Sequence, residues 1–259
     1  MRPQLALAAA AAVLAAADKA PRPAAPLINV GGIVNAASNR GAPDNYISPG
    51  SIISIYGTGL ANATRDAREE DLVNGLFLPV NLAGVSVFFG RVPAPLFFVS
   101  PLQINAQVPV EIGPAVWTVL VTHTNLESTE KVLVRPYSPG LFSVARHSDG
   151  LLVSREAPAK AGEFILFFGT GFGATMPAFQ TGAAAPQFPV FMIAAIEAAI
   201  GEIPLGAADI YYSGLAPGFA GLYQFNLRIP PAAPAGDLEV RVKVAEEWSQ
   251  PGVRVVVAR

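Results

Sequence analysis

Few residues in this chain have chemistry to offer. His123 sits in Thr122-His123-Thr124-Asn125, and His147 lies just ahead of Asp149-Gly150. A histidine works as a general base when a Ser or Thr stands beside it and an acid orients it. Neither histidine has a recognisable nucleophile motif, and no Gly-x-Ser-x-Gly occurs, so both read as surface residues. Glycoside hydrolysis needs two carboxylates facing each other across a cleft. Asp66, Glu69, Glu70, Asp71, Glu197 and Asp209 are available, but their spacing sets no two of them opposite one another. The run RDAREED at 65–71 reads instead as a solvated loop with local ion pairs, each worth little. The sequence has no cysteine, which excludes disulfides, thiol catalysis, iron–sulfur clusters and thiolate zinc sites. Two histidines cannot build a multi-histidine metal centre, and no Asp-x-Asp-x-Asp-Gly calcium loop is present. No catalytic, cofactor-binding or metal-ligating residue is assigned, and no cofactor is expected.

Gly169-Thr170-Gly171-Phe172-Gly173 has the look of a dinucleotide-binding turn. That turn must open a helix whose N-terminus holds the pyrophosphate, whereas Pro177 and Gly182 follow here. The same Gly-Thr-Gly recurs at 57–59, so a tight turn leaving a strand, with glycine at φ > 0, explains both. Polar rows carry more interest. Gln103, Asn105 and Gln107 alternate with Leu102, Ile104, Ala106 and Val108, and Gln224, Asn226 and Arg228 alternate with Tyr223, Phe225, Leu227 and Ile229. Such a face could meet a carbohydrate or a partner protein. Because the rows recur in both copies at matching places in the strand, the favoured reading is structural: a solvated face, or amides hydrogen-bonded to an adjacent loop. Phe97, Phe98, Tyr211, Tyr212 and Phe219 lie just upstream, in what reads as the loop before each polar row. If exposed, they would mark a binding edge.

The elements that must position these residues are short strands. Charged residues are only 14% of the 259 and hydrophobic ones 52%, which argues against disorder. With Gly and Pro at 24 each, long helices are excluded. The net charge of −2 advertises no basic face for nucleic acid. Arg2, then an uncharged Ala/Leu/Val run to Ala15-Ala16-Ala17, reads as a signal peptide over 1–17, too short to span a bilayer. The mature chain would then have no membrane span, and its location would be extracytoplasmic: periplasm, cell surface or secreted. Residues 18–27 read as a Pro-rich linker.

The rest is an internal repeat. Pro49-Gly50-Ser51-Ile52-Ile53-Ser54-Ile55-Tyr56-Gly57-Thr58-Gly59-Leu60 matches Ala161-Gly162-Glu163-Phe164-Ile165-Leu166-Phe167-Phe168-Gly169-Thr170-Gly171-Phe172. Gly90-Arg91-Val92-Pro93 matches Gly201-Glu202-Ile203-Pro204, and Leu102-Gln103-Ile104-Asn105 matches Tyr223-Gln224-Phe225-Asn226. The second copy carries extra residues within 206–221, which read as a longer loop. Period-two patterning predicts strands near 85–89, 102–108, 116–122, 131–134, 164–168, 223–229, 238–244 and 253–257. Residues 190–200 (VFMIAAIEAAI) have alanine-rich helix propensity, but Pro189, Gly201 and the repeat favour a strand. The boundary falls at Arg135-Pro136-Tyr137-Ser138-Pro139-Gly140, where two prolines end strand pairing. The expected fold is all-β, with two tandem immunoglobulin-like β-sandwich domains over 28–136 and 137–259. The connection is short enough to hold them in few orientations.

Asn35-Ala36-Ala37-Ser38, the stretch Pro49 to Leu60, the stretch Pro93 to Pro109 and Gly214-Leu215-Ala216-Pro217-Gly218-Phe219-Ala220-Gly221-Leu222-Tyr223-Gln224-Phe225-Asn226 together resemble a family signature. The family is the uncharacterised C-terminal domain type abundant in Acidobacteria such as Solibacter. The Gly-Thr-Gly-Leu/Phe turn also resembles the IPT/TIG kind of immunoglobulin-like, E-set domain. The resemblance covers nearly all of the mature chain. It implies extracytoplasmic Ig-like domains and no activity. The charged run 65–71 and the Ala-rich run 190–200 depart from the pattern. The expectation is a secreted, non-enzymatic structural or adhesion module for a protein or glycan at the cell surface. The alternatives are a carbohydrate-binding accessory module with an exposed aromatic platform, and a hydrolase with an interdomain site. The candidate interaction surface is Gln103, Asn105, Gln107, Gln224, Asn226, Arg228, Tyr211, Tyr212 and Phe219.

Overall fold

The computed structural model describes residues 25–258. The expected signal peptide and most of the linker lie outside the described residues. The first half holds β1 (Leu27–Asn35), β2 (Ile52–Thr58), β3 (Arg65–Asp66), β4 (Val85–Phe89), β5 (Val92–Ala94), β6 (Leu96–Val99), β7 (Gln103–Gln107), β8 (Ala115–His123) and β9 (Leu126–Val134). They form two antiparallel sheets, ordered β1-β2-β7-β6-β3 and β5-β4-β8-β9. Alternation decides which residues enter the core. Ile53, Ile55 and Ile104 from one sheet meet Val85, Val87, Val119 and Val121 from the other, all fully buried.

The second half holds β10 (Gly140–Arg146), β11 (Phe164–Thr170), β12 (Thr175–Met176), β13 (Phe191–Met192), β14 (Ile196–Ile200), β15 (Ile203–Pro204), β16 (Ile210–Leu215), β17 (Tyr223–Arg228), β18 (Gly236–Val244), β19 (Glu247–Trp248) and β20 (Arg254–Val257). Its sheets run β10-β11-β17-β16-β13-β12 and β15-β14-β18-β19, with β20 also on β18. The sequence repeat is thus a repeat of topology: β1-β2-β7-β6 is matched by β10-β11-β17-β16, and β5-β4-β8 by β15-β14-β18. Ile165, Phe167, Phe225 and Leu227 face Ala198, Ile200, Val240 and Val242 in a second core. Phe172 stacks edge-on against Phe225, with centroids 4.6 Å apart. The chain is therefore all-β, two tandem immunoglobulin-like sandwiches.

Residues 190–200 are extended, but as two strands in different sheets, β13 and β14, because the chain crosses from one sheet to the other between them. The segment 206–221 is not one long loop: it holds a 3-10 turn at Ala207–Asp209 and strand β16, since Ile210 to Leu215 can pair with β17. Phe97 and Phe98 belong to β6, and Tyr211 and Tyr212 to β16, so none is in a loop. In the run 65–71, Arg65–Asp66 pairs with β6 and Glu69–Asp71 is a 3-10 turn closed by an Arg65–Asp71 ion pair of 2.5 Å. Leu102 is exposed rather than core, because it precedes β7 in the turn that Ser100 closes.

The two sandwiches meet at a joint of buried polar groups. Asn35, at the end of β1, donates from Nδ2 to the Ser138 carbonyl (2.7 Å) and accepts at Oδ1 from the Ala37 and Ser38 amides. The Thr170 hydroxyl accepts from the Ile52 amide (2.8 Å) and donates to the Gly221 carbonyl (2.8 Å). Gln107 accepts at Oε1 from the Gly182 amide (2.7 Å) and donates from Nε2 to the Gly50 carbonyl (3.2 Å). A second strip joins Tyr46 to Glu247 (2.8 Å) and Arg40 to the Trp248 carbonyl (2.9 Å). The Asn35, Thr170 and Gln107 side chains are buried, so breaking their bonds strands a desolvated polar group and these bonds fix the angle between the sandwiches, whereas the second strip is only partly buried.

Candidate functional site

The outer face of the β10-β11-β17-β16-β13-β12 sheet gathers most of the residues singled out in the second repeat. Register fixes this. Phe164 pairs with Arg228, Leu166 with Asn226 and Phe168 with Gln224, so all six point away from the core. Tyr212 opposes Asn226 and Phe191 opposes Gly214 on the same side, and Met176 opposes Phe191. The irregularity between Ile210 and Tyr212 re-aims Tyr211. Its ring meets Phe164 edge-on, with centroids 5.8 Å apart, while Phe191 lies 5.4 Å from Tyr212. Tyr211 is 77% exposed, Phe219 58% and Phe191 50%. Tyr212 is half-buried. Its hydroxyl donates toward the Val190 and Leu215 carbonyls, and burial raises its pKa above the ordinary phenol value.

The amides on this face are pre-set. Gln224 Nε2 donates to Asn226 Oδ1 (2.8 Å), and Arg228 Nε to the Gly162 carbonyl (3.2 Å). Each keeps donors or acceptors to spare. Aromatic rings beside amides on a rigid sheet offer stacking area together with hydrogen bonds to hydroxyls.

The first repeat uses its polar row differently. Gln103 donates to Asn105 (2.8 Å), repeating the Gln224–Asn226 bond, and Ser54 also donates to Asn105 (3.1 Å). Gln107, read from sequence as part of the open row, is 3% exposed, because the second sandwich closes over it. The structure therefore brings Gln224, Asn226, Arg228, Tyr211 and Tyr212 onto one face, leaves Gln103 and Asn105 on the other sandwich, and commits Gln107 to the joint. Phe219 lies in the turn after β16, where its carbonyl accepts from the Ala185 amide. Phe164, Phe168 and Phe191 were not singled out. Phe164 and Phe168 alternate with buried Ile165 and Phe167, so apolar residues on both faces of one strand were the available signal.

The histidines do not form a catalytic pair, since they lie in different sandwiches. His123 is 2% exposed, not a surface residue, because the β8–β9 hairpin folds it against β4. Its Nδ1 has no hydrogen-bond partner among the described residues. His147 Nδ1 meets Glu163 Oε1 at 2.6 Å and Nε2 meets the Ala157 carbonyl at 3.1 Å. Both ring nitrogens face acceptors, so the imidazolium is favoured, and its pKa is raised above 6.5, chiefly by the Glu163 bond. The bonus this gives the fold is complete below pH 6.5 and fades as pH rises through the raised value. Urea unfolding should therefore show His147→Gln losing about 1 kcal/mol at pH 5.5 and markedly less at pH 8.5. An equal loss at both values would rule out the charged pair.

A cleft of about 410 Å³ opens between the sandwiches. No Asp, Glu or His lines it, so the facing carboxylates or paired histidines that an interdomain hydrolase requires do not stand there. Among the described residues no group of three or more His, Asp or Glu is placed to hold a metal.

Neither a protein-family model nor a curated protein matches the chain. Solved structures do show similarity. An SGBP-B from a xyloglucan utilization locus of Bacteroides uniformis is 12% identical at a TM-score of 0.26, over 89% of this chain and 49% of that one. The SGBP-B of the Bacteroides ovatus mixed-linkage glucan locus, solved with a heptasaccharide, is 11% identical at a TM-score of 0.32, over 85% and 45%. The I9–I11 tandem of titin is 9% identical at a TM-score of 0.24, over 90% and 66%. The chain thus spans less than half the length of both SGBP-B structures. At these scores the likenesses carry no functional argument, and the sheet face must speak for itself.

Proposed function

We propose that this protein is a non-enzymatic, adhesion-type module of the extracytoplasmic space, and that its second sandwich binds a glycan. The observation that carries this reading is the outer sheet face. Tyr211 and Phe191 stand exposed beside half-buried Phe164, Phe168 and Tyr212, with the Gln224, Asn226 and Arg228 side chains among them. A sugar presents C–H groups on its faces and hydroxyls around its rim. Rings stack on the first while amides and a guanidinium bond the second. The polar joint supports the reading as well, because a face held on a fixed scaffold binds with less ordering cost. The location rests on the signal-peptide reading of 1–17, and the resemblance to the Solibacter-type family points the same way.

The test is affinity electrophoresis of the protein through gels carrying soluble plant and bacterial polysaccharides. At least one polysaccharide should retard it. Tyr211→Ala combined with Phe191→Ala should weaken retardation about tenfold or more, as two lost stacking contacts of about 1 kcal/mol each require. Both side chains are at least half exposed, so the fold tolerates their loss. Migration unaffected by the whole set, or retardation that survives the double substitution, would refute the reading.

A further inference from the structure

The interdomain cleft is a separate site, remote in character from the amide-rich sheet face. Pro49 and Val110 from the first sandwich, Tyr137 from the connection, and Phe179 and Leu215 from the second build its walls. At about 410 Å³ it falls within the range of small-molecule sites, about 300–1,000 Å³. Its lining contains no Lys, Arg, His, Asp or Glu. A charged guest would lose its hydration there without gaining a counter-charge, so the cleft selects against ions.

Among its polar lining residues, Gln107 is the most deeply buried, at 3% exposed. Its Oε1 is taken by the Gly182 amide and one Nε2 hydrogen by the Gly50 carbonyl. An amide nitrogen has two hydrogens, and the second finds no acceptor among the described residues. The neighbouring Gly221, at φ +64°, is what leaves room for this amide. A Cβ there would lie 3.0 Å from Gln107 Nε2 and 2.6 Å from the Gly50 carbonyl oxygen. The rim is also held in place. The Val110 amide donates to Thr181 Oγ1 (2.9 Å), whose hydroxyl donates to Glu111 (2.6 Å), and the Leu78 amide donates to the Gly182 carbonyl (2.9 Å). Bonds from both sandwiches thus close around one space, and the cleft exists before any ligand arrives.

We infer that the interdomain cleft binds an uncharged, mainly apolar small molecule carrying a carbonyl or ether oxygen, which accepts the free Gln107 N–H while its apolar body packs on Tyr137, Phe179 and Leu215. Nile red is a suitable probe, being an uncharged dye with a ring carbonyl whose emission brightens and shifts blue in apolar surroundings. Titration into the purified protein should give one saturable, blue-shifted site per chain. Ala178 lines the cleft but is solvent-exposed, so it can be changed without disturbing either core. Ala178→Trp fills the space and Ala178→Asp charges it, and each should weaken the dye by tenfold or more while the thermal midpoint stays put. Anionic anilinonaphthalene sulfonate should bind at least tenfold more weakly than Nile red. A signal that never saturates, one that survives both substitutions, or equal affinity for the anionic dye would overturn the assignment.

Discussion

Thr170→Val should destabilise the protein by about 2–4 kcal/mol in urea unfolding, although the two side chains are nearly the same shape. The hydroxyl is fully buried in the joint, where it accepts from the Ile52 amide and donates to the Gly221 carbonyl, each at 2.8 Å. A methyl group in its place leaves a buried donor on one sandwich and a buried acceptor on the other, each costing about 1–3 kcal/mol. The repeat supplies its own control. Thr58 occupies the same place in the first Gly-Thr-Gly turn but is exposed, so Thr58→Val should change stability by less than about 0.5 kcal/mol. Equal effects at the two positions would show that the hydroxyl acts within its own turn and not across the joint.

Gly171→Ala should cost about 3 kcal/mol or more and open the joint as well. Gly171 sits at φ +86°, where an L side chain is strained. A Cβ there would overlap the Ser138 carbonyl oxygen and crowd Asn35 Nδ2, the two atoms that form the joint's 2.7 Å hydrogen bond. The Gly171 carbonyl also receives the Ser138 amide (2.9 Å). Strain and lost hydrogen bonds therefore fall on one element, and limited proteolysis should cut the connection at 135–140 much faster than in the parent. An alanine variant with unchanged stability and protease resistance would show that this turn can move aside freely.

The elements themselves were legible because period-two patterning and Pro/Gly punctuation act locally. Ile104 and Ala106, like Phe225 and Leu227, alternate with polar neighbours, and each set is buried as that alternation requires. The repeat was legible for the same reason, and it extends to backbone detail: Gly59 and Gly171 both adopt positive φ at the turn. Long-range consequences were hidden. Nothing near Gln107 announces that a second sandwich will cover it, while Arg228, at the matching place in β17, stays partly open to solvent. Thr58 and Thr170 are identical in local sequence, and only the presence of a preceding sandwich separates an exposed hydroxyl from a buried one. In the sequence Asn35 is only one member of a family-like string, yet it is 1% exposed and bonds the connection between the sandwiches. The aromatic face was half legible. Tyr211 and Tyr212 stood out as a pair, whereas Phe164, Phe168 and Phe191 join them only through a register that spans three pairings.

NMR distinguishes the second sandwich's outer face from every other candidate binding surface. Side-chain amide resonances of Gln224 and Asn226 would be followed while adding short oligosaccharides cut from whichever polysaccharide retards the protein. If the glycan docks on this face, these two amides and the Arg228 Nε–H signal shift together in a saturable way, while Gln103 and Asn105 on the first sandwich stay still. Shifts confined to Gln103 and Asn105, with Gln224 and Asn226 unmoved at saturation, would contradict it.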